Sequence, residues 1–202
     1  MGEVYYLYLQ RLNLGRVRQD VNVVWNLAPH DISIVLYWLG KEPVAVSARG
    51  YVYLQENLED VAYINLDFAD GVSAHIHVSW LDPNKVRRVT VVGSEKMVVY
   101  DDVNTDAMVQ VFDKGITKKN ISANLGNYDT FGKFQMIHRA GDLIIPKIDF
   151  SEPLAVECQH FTDCICNGQS PRSDGQNGLA VVRILEKVQE SLNNGGERIG
   201  FN

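Results

Sequence analysis

The chain has 202 residues, 46% of them hydrophobic, and a formal net charge of −6. This length and composition can bury a sizeable core without disulfides or metals, which excludes disordered and fibrous proteins. The acidic balance argues against nucleic acid as the main partner, and no apolar run is long enough to predict a membrane span. The start carries no signal-peptide pattern, which predicts a cytoplasmic protein. The three cysteines lie within 158–166, which predicts reduced thiols. We predict a single domain over residues 1–202.

The chain opens with a predicted strand and a predicted helix. Residues 3–12 alternate and are rich in Tyr, Val and Leu, which is typical of a strand. After a polar, basic connection, apolar residues recur at helical spacing from Ile32 to Leu39. Because Pro29 suits a first helical turn and Gly40 suits a C-terminal cap, we predict a helix from Pro29 to Leu39.

A β-hairpin is predicted within residues 60–81, and side-chain alternation fixes its register. A two-residue Asp70-Gly71 turn would set apolar residues of one strand against polar residues of the other, which the period-two pleat disfavours. A three-residue loop, Ala69-Asp70-Gly71 with a left-handed Gly71, instead places all the apolar residues on one face. It pairs Phe68 with Val72, Leu66 with Ala74, Ile64 with Ile76 and Ala62 with Val78. The opposite face then carries Tyr63, Asn65, Asp67, Ser73, His75, His77 and Ser79.

The rest of the chain is predicted to add strands and then two helices. Strands are predicted over 44–54, 86–92, 96–101 and 108–113, a mobile loop over 115–133, and a last strand pair over 134–138 and 143–148. Ser151-Glu152-Pro153 is a helix-start signal. The apolar residues of that helix, which share one face up to Gly168, are Leu154, Cys158, Phe161 and Ile165.

The final predicted helix opens with a capping box made by Ser173 and Gln176. Its apolar stripe consists of Leu179, Val182, Leu185 and Val188. Together the elements predict an α+β fold: an open, mainly antiparallel β-sheet of six to nine strands with helices packed on one face.

Asn26 and His30 are the residues best placed for chemistry. They lie four residues apart around the predicted junction of loop and helix, so both side chains can share one side, next to the unpaired N–H groups of a helix start. An imidazole can accept a proton from a substrate hydroxyl near neutral pH. On the residues alone an alternative stays open, with Asn26 as the helix N-cap and His30 as a surface residue.

Several segments, in their order along the chain, carry a family resemblance. They are residues 25–34 (WNLAPHDISI), 78–83 (VSWLDP) and 91–94 (VVGS), followed by Glu152-Pro153-Leu154, His160-Phe161, Cys164-Ile165 and Ser173-Asp174-Gly175. Over nearly the whole chain they resemble the C-terminal domain of the glucose-fructose oxidoreductase and inositol dehydrogenase (Gfo/Idh/MocA) family. Within that family the chain is most similar to bacterial sugar and sugar-nucleotide dehydrogenases.

The resemblance implies an NAD- or NADP-dependent sugar oxidoreductase whose separate dinucleotide-binding domain supplies a lysine. His30 aligns with the proton acceptor of the family's Asp-x-x-x-His motif, and Asn26 replaces the aspartate, which removes the charge that would orient the imidazole. The chain has no G-x-G-x-x-G and no Glu-Lys-Pro, so we predict that it binds no cofactor alone and is a truncated enzyme. The alternative is a standalone, non-catalytic sugar-binding or dimerisation module.

Four polar residues before the predicted helix are candidates for substrate binding: Arg11, Asn13, Arg16 and Arg18. Arginines bind carboxylates and phosphates through paired hydrogen bonds, so these residues suit a sugar or sugar-nucleotide substrate that carries an anion. Solvated loop charges are the alternative.

The polar face of the sheet is predicted to form a homo-oligomer, because exposed aromatic residues are common in interfaces. The residues concerned are Tyr5, Tyr51, Tyr53 and Tyr63, although core packing would explain them equally. His75 and His77 share this face with Asn65, but a third ligand is missing and no metal site is predicted.

Overall fold

The computed structural model describes residues 1–120, 134–139, 141–149 and 151–201. Its strands are β1 (Val4–Leu14), β2 (Ala45–Tyr51), β3 (Val61–Asp67), β4 (Ser73–Ser79), β5 (Leu81–Gly93), β6 (Met97–Asp101), β7 (Val109–Phe112), β8 (Gly115–Asn120), β9 (Phe134–Arg139), β10 (Leu143–Ile144) and β11 (Ile199–Gly200). Its helices are α1 (Val23–Leu39), α2 (Pro153–Asn167) and α3 (Gly175–Asn193).

Nine of these strands form one open sheet in the order β10-β7-β6-β5-β1-β4-β3-β2-β11. Every neighbouring pair is antiparallel except β1 and β4, which run parallel in the centre. The predicted α+β class and the mainly antiparallel sheet are therefore confirmed.

The hairpin of β3 and β4 has the register predicted from alternation. Ile64 lies opposite Ile76 and Leu66 opposite Ala74. The N–H of Phe68 donates to the carbonyl of Val72 at 3.0 Å, which closes the three-residue loop. Gly71 has a φ of 84°, a left-handed conformation that glycine adopts without steric cost.

Helices α1 and α3 cover one face of the sheet and enclose the core. The buried side chains contributed by the sheet include Leu7, Leu9, Ile64, Leu66 and Ile76, and those contributed by the helices include Ile32, Val35, Ile184 and Val188. A polar cluster joins the two helices at one end. Asn22 Nδ2 donates to Glu59 Oε2 at 2.7 Å and to Gln189 Oε1 at 2.9 Å. This cluster fixes the start of α1 beside α3.

The predicted last strand pair is wrong. β9 pairs with β8 in a separate two-stranded sheet, while Leu143–Ile144 pairs with β7 at the edge of the main sheet. The loop predicted over 115–133 is likewise wrong at its start, since Gly115–Asn120 forms β8. The remainder of that prediction, residues 121–133, lies outside the described residues. Alternation within a short segment gives no information about which distant strand it pairs with.

Helices α2 and α3 begin and end near the predicted positions but bury different faces. Asp174, not Ser173, caps α3 by accepting from the N–H of Asn177 at 2.9 Å. Leu185 and Val188 are buried as predicted, whereas Leu179 and Val182 are exposed.

On α2, Glu152 is the N-cap and Gly168 ends the helix in a left-handed conformation. The predicted apolar face of α2 does not pack against the core, because Leu154, Phe161 and Ile165 are exposed.

Candidate active site

Helix α1 begins six residues before the predicted start, and this moves the candidate residues into the helix. The N-cap is Asn22, whose side-chain oxygen accepts from the N–H of Trp25 at 3.1 Å. Pro29 lies inside the helix rather than in its first turn. The prediction that Asn26 and His30 flank a helix start, with its unpaired N–H groups, is therefore wrong. The alternative that Asn26 is the N-cap is wrong for the same reason.

Asn26 instead contacts a buried tryptophan at the end of strand β4. Its Oδ1 accepts from Trp80 Nε1 at 3.1 Å, and the Trp80 side chain is almost completely buried. A hydrogen bond from a fixed indole holds the Asn26 amide in one orientation. The Nδ2 group then remains available as a donor in the groove beside it.

The groove beside Asn26 has a volume of about 250 Å³ and brings together three of the predicted substrate contacts. It is lined by Asn13, Arg16, Arg18, Asn26, Leu27 and Trp80. Asn13 Oδ1 is buried and has no hydrogen-bond partner among the residues that the structure describes. A buried, unpaired amide oxygen is energetically costly, so a donor that reaches this atom would form a stabilising hydrogen bond.

Arg16 and Arg18 differ in their partners. Arg18 forms an exposed ion pair with Asp20, with Nε to Oδ1 at 2.9 Å. Arg16 is exposed and has no ion pair within the described part of the chain. Its guanidinium is therefore the more available of the two for an anionic group.

Arg11 is engaged in a nearly buried ion pair. Its Nε and Nη2 donate to the two carboxylate oxygens of Asp31 at 2.9 and 3.0 Å. The side chains of Arg11 and Asp31 are only 16% and 3% exposed. Burial raises the pKa of the Asp31 carboxyl, and Arg11 opposes that rise. Arg11 thus links β1 to α1. It was predicted as a substrate contact, but it does not line the groove that contains Asn13, Arg16 and Arg18.

His30 is exposed on α1, one turn beyond Asn26. Part of the ring is nevertheless shielded from water, and this loss of hydration is the main cause that lowers the pKa of the imidazole. The positive charges of Arg11 and Arg87 lower that pKa further, while Asp31 raises it. A lowered pKa favours the neutral imidazole, which is the form that can accept a proton.

Sequence reasoning missed Asp31, Trp80, Arg87 and Asp102, which surround the candidate residues. Arg87 Nη1 donates to Asp102 Oδ2 at 3.2 Å. Strand alternation gives the side of the sheet on which each residue lies, but the pairing of β1 with β5 that brings Arg87 close to Arg11 is not visible in the sequence.

The histidines of the opposite sheet face are held by neighbouring side chains. His75 Nδ1 lies 2.6 Å from Asn65 Oδ1 and its Nε2 lies 3.2 Å from Ser73 Oγ. The His77 ring stacks on Tyr63 with centroids 4.3 Å apart. Both contacts place these histidines in a continuous polar and aromatic surface.

No glycine-rich dinucleotide-binding turn is present among the described residues. The turn after β1 contains a single glycine, Gly15, and the sequence has no G-x-G-x-x-G. The described part of the chain also contains no group of three or more metal-ligating side chains. Its helices are all too short or too polar to cross a membrane.

Comparisons with known proteins agree with this architecture. Residues 12–99 match the family model of the GFO/IDH/MocA C-terminal domain. No curated protein matches the chain in sequence. The UDP-N-acetylglucosamine 3-dehydrogenase GnnA from Acidithiobacillus ferrooxidans is similar in structure, with 21% identity, a TM-score of 0.72 and coverage of 96% of this chain and 56% of that chain.

Two further solved structures share the fold. The aldose-aldose oxidoreductase from Caulobacter crescentus is 18% identical, with a TM-score of 0.70 and coverage of 99% of this chain and 56% of that chain. The WlbA dehydrogenase from Bordetella pertussis, solved in complex with NADH and UDP-GlcNAcA, is 17% identical, with a TM-score of 0.66 and coverage of 100% of this chain and 55% of that chain.

The chain therefore spans little more than half the length of these oxidoreductases. The resemblance predicted from the sequence is confirmed: the chain is similar to the C-terminal domain of the GFO/IDH/MocA oxidoreductases, by the family model over residues 12–99 and by fold over almost its whole length.

Proposed function

We propose that this chain is the substrate-binding and oligomerisation domain of an NAD(P)-dependent sugar or sugar-nucleotide oxidoreductase. The observation that carries the proposal is the position of His30. Its exposed imidazole, whose pKa is lowered, lies one helical turn beyond Asn26, which lines the polar groove, in a fold shared with a UDP-N-acetylglucosamine dehydrogenase. An acid–base group one helical turn from an amide that lines a polar groove is a suitable arrangement for proton transfer.

In this proposal His30 accepts the proton of a sugar hydroxyl as the carbinol carbon is oxidised. The nicotinamide that takes the hydride is bound outside the described residues, so no residue of this chain is assigned to it. Asn26 lacks the negative charge of an aspartate and does not strengthen the base. Its amide, fixed by Trp80, orients the sugar by donating from Nδ2.

The groove residues are proposed to bind the remainder of the substrate. Asn13 offers an unpaired amide oxygen to a sugar or base N–H or O–H group. Arg16 and Arg18 offer guanidinium groups to an anion such as the diphosphate of a sugar nucleotide. Arg11 is the weaker candidate because Asp31 already occupies two of its N–H groups.

The proposal is tested in a chimera that joins this chain to the cofactor-binding segment of one of the solved relatives. We expect His30→Ala to reduce turnover of a sugar-nucleotide substrate about 10²-fold or more, because general-base catalysis contributes on that scale. His160→Ala, which changes a histidine on α2, is the matched control and should leave turnover close to that of the parent chimera. Equal turnover in the His30 variant and the parent would contradict the proposed role of His30.

A second candidate function is a non-catalytic module that self-associates. The observation that favours it is the set of exposed tyrosines on the open sheet face, Tyr6, Tyr8, Tyr51 and Tyr63. Measuring dimer formation and sugar-nucleotide binding by the purified chain distinguishes the two candidates. The module would form dimers without binding a sugar nucleotide in the groove, whereas the substrate domain binds one there.

A further inference from the structure

The two groove arginines, Arg16 and Arg18, lie in the arginine segment, residues 16–20, an irregular stretch between β1 and α1. The segment borders the groove of about 250 Å³ and also lines a second cavity of about 600 Å³. Val17 packs partly against the core, whereas both arginines are exposed. Because the segment lies outside the helices and strands and borders open space, few contacts determine where its guanidinium groups lie.

One side chain from another part of the chain forms a hydrogen bond with the arginine segment. Gln55, in the connection between β2 and β3, donates from Nε2 to the carbonyl oxygen of Arg18 at 2.6 Å. Among the residues that the structure describes, no other hydrogen bond joins the segment to the rest of the domain. The Arg18 side chain pairs with Asp20 inside the segment, so Gln55 fixes the backbone and leaves the guanidinium accessible.

Gln55 is itself held in place by a buried carboxylate. Asp60 is completely buried, and its Oδ2 accepts from the N–H of Tyr53 at 2.7 Å and from the N–H of Leu54 at 2.8 Å. The carbonyl oxygen of Asp60 accepts from the N–H of Trp80 at 3.0 Å. Hydrogen bonds from backbone N–H groups to a carboxylate are strong, so the two residues that precede Gln55 are fixed to the end of the sheet.

Trp80 connects this network to the groove through two further hydrogen bonds. Its Nε1 donates to Asn26 Oδ1 at 3.1 Å, and its carbonyl oxygen accepts from the N–H of Gly15 at 3.2 Å. The amide proposed to orient the sugar is thus fixed by Trp80, whereas the arginine segment beyond Gly15 is fixed by Gln55. Loss of the Gln55 contact should therefore loosen the segment without moving Asn26.

We propose that Gln55 is a positioning residue for substrate binding, which fixes the arginine segment in the conformation that receives the anionic part of the substrate. The inference rests on the proposed role of Arg16 and Arg18 in binding that anion. Gln55 does not line the groove and acts through the backbone of Arg18. A segment that is ordered before the ligand arrives loses less conformational freedom on binding, so the affinity is higher.

The first test measures backbone order in the ligand-free chain by NMR relaxation of the amides. Gln55→Ala removes the donor from a partly exposed side chain, so the fold is retained. We expect lower order parameters in the arginine segment and unchanged values in α1. Gln110→Ala is the matched control, because Gln110 Nε2 also donates to a backbone carbonyl, that of Ala107 at 3.3 Å, in another part of the sheet. Unchanged order in the Gln55 variant, or equal changes in both variants, would overturn the inference.

The second test titrates the wild type and both variants with UDP-N-acetylglucosamine. Gln55→Ala should bind roughly 3- to 10-fold more weakly, because the ligand must then order the arginine segment itself. The shift of the Asn26 side chain at saturation should equal that of the wild type, and Gln110→Ala should bind as the wild type does. Lower order combined with unchanged affinity would show that the conformation of the segment has no effect on binding, which also overturns the inference.

The two proposals fail in distinguishable ways. A wild-type chain that does not bind UDP-N-acetylglucosamine contradicts the proposed substrate, and the order parameters then decide alone whether Gln55 fixes the segment. Equal affinities of the wild type and Gln55→Ala remove the positioning role of Gln55 but leave the groove as the substrate site.

Discussion

The two faces of the nine-stranded sheet carry different kinds of side chain. On the helix-covered face, Leu9, Ile64 and Ile76 are buried beneath α1 and α3. On the open face, Tyr63 and His77 stack on each other and remain partly accessible. Burial of apolar side chains on the first face stabilises the domain, whereas the second face has aromatic area to offer a partner.

The difference between the two faces shows how the fold places the polar groove beside the apolar core. The helix-covered face is apolar in its centre and becomes polar towards the end of β1, at Arg11 and Asn13. A charged group placed at this border is shielded from water but keeps a partner, as Arg11 does with Asp31.

The largest expected effect is on stability when the buried ion pair loses one partner. Arg11→Met leaves the Asp31 carboxylate buried and unpaired, which we expect to lower the free energy of unfolding by about 3–5 kcal/mol. Because an unpaired buried carboxyl has a raised pKa, the deficit should shrink as the pH falls and Asp31 becomes protonated. Urea unfolding at neutral and acidic pH measures both effects.

Arg18→Met is the control for this prediction, since Arg18 pairs with Asp20 on the surface. It should leave the unfolding midpoint unchanged. Equal midpoints for the Arg11 and Arg18 variants would show that burial of the Arg11 pair has no energetic consequence.

The next largest effect is expected from a comparison of two adjacent residues of β3 whose side chains point to opposite faces of the sheet. Ile64 is 1% exposed and Tyr63 is 46% exposed. Ile64→Ala should lower the free energy of unfolding by about 2–5 kcal/mol through lost burial and a cavity. Tyr63→Ser should change stability much less but weaken self-association, which sedimentation velocity measures. A Tyr63 variant that associates as the parent chain does would exclude Tyr63 from the interface.

A smaller effect concerns the pH dependence of stability at His30. Its pKa in the folded chain is lowered from the ordinary value of 6.5, so the unfolded chain binds more protons near that pH. The stability that His30 contributes is therefore present above pH 6.5 and is lost as the pH falls towards the lower, folded value.

His30→Asn removes this contribution. The wild type should accordingly lose more stability than the variant between neutral pH and mildly acidic pH, as measured by thermal unfolding at matched ionic strength. His77 has a lowered pKa as well but is present in both proteins, so the difference isolates His30. Parallel pH profiles for the two proteins would contradict the lowered pKa.

Local patterns were sufficient to predict much of the fold. Alternation along residues 61–79 predicted the register of the β3–β4 hairpin and its left-handed Gly71, because a shift of one residue would bury polar side chains. The start of α1 was missed because Pro29 suggested a first turn. Asn22 instead caps the helix by accepting from the N–H of Trp25, and its Nδ2 is held by Glu59 and Gln189, which are distant in sequence.

The candidate site was predictable only in part for the same reason. His30 and Asn26 stand out in the sequence, and Asn13, Arg16 and Arg18 do line a groove with Asn26. The environment of Arg11 depends on Asp31, twenty residues away, and on Arg87 across the sheet. Such contacts follow from strand order and helix packing, which no local pattern encodes.

The central claim is that the groove on the helix-covered face binds a sugar nucleotide beside His30. The most direct measurement is a titration of the isotope-labelled chain with UDP-N-acetylglucosamine, followed by NMR. The account predicts saturable shifts at Asn13, Arg16, Asn26 and His30, with the resonances of Tyr63 and His77 unchanged. Shifts confined to the open face, or no saturable shift at the groove, would contradict it.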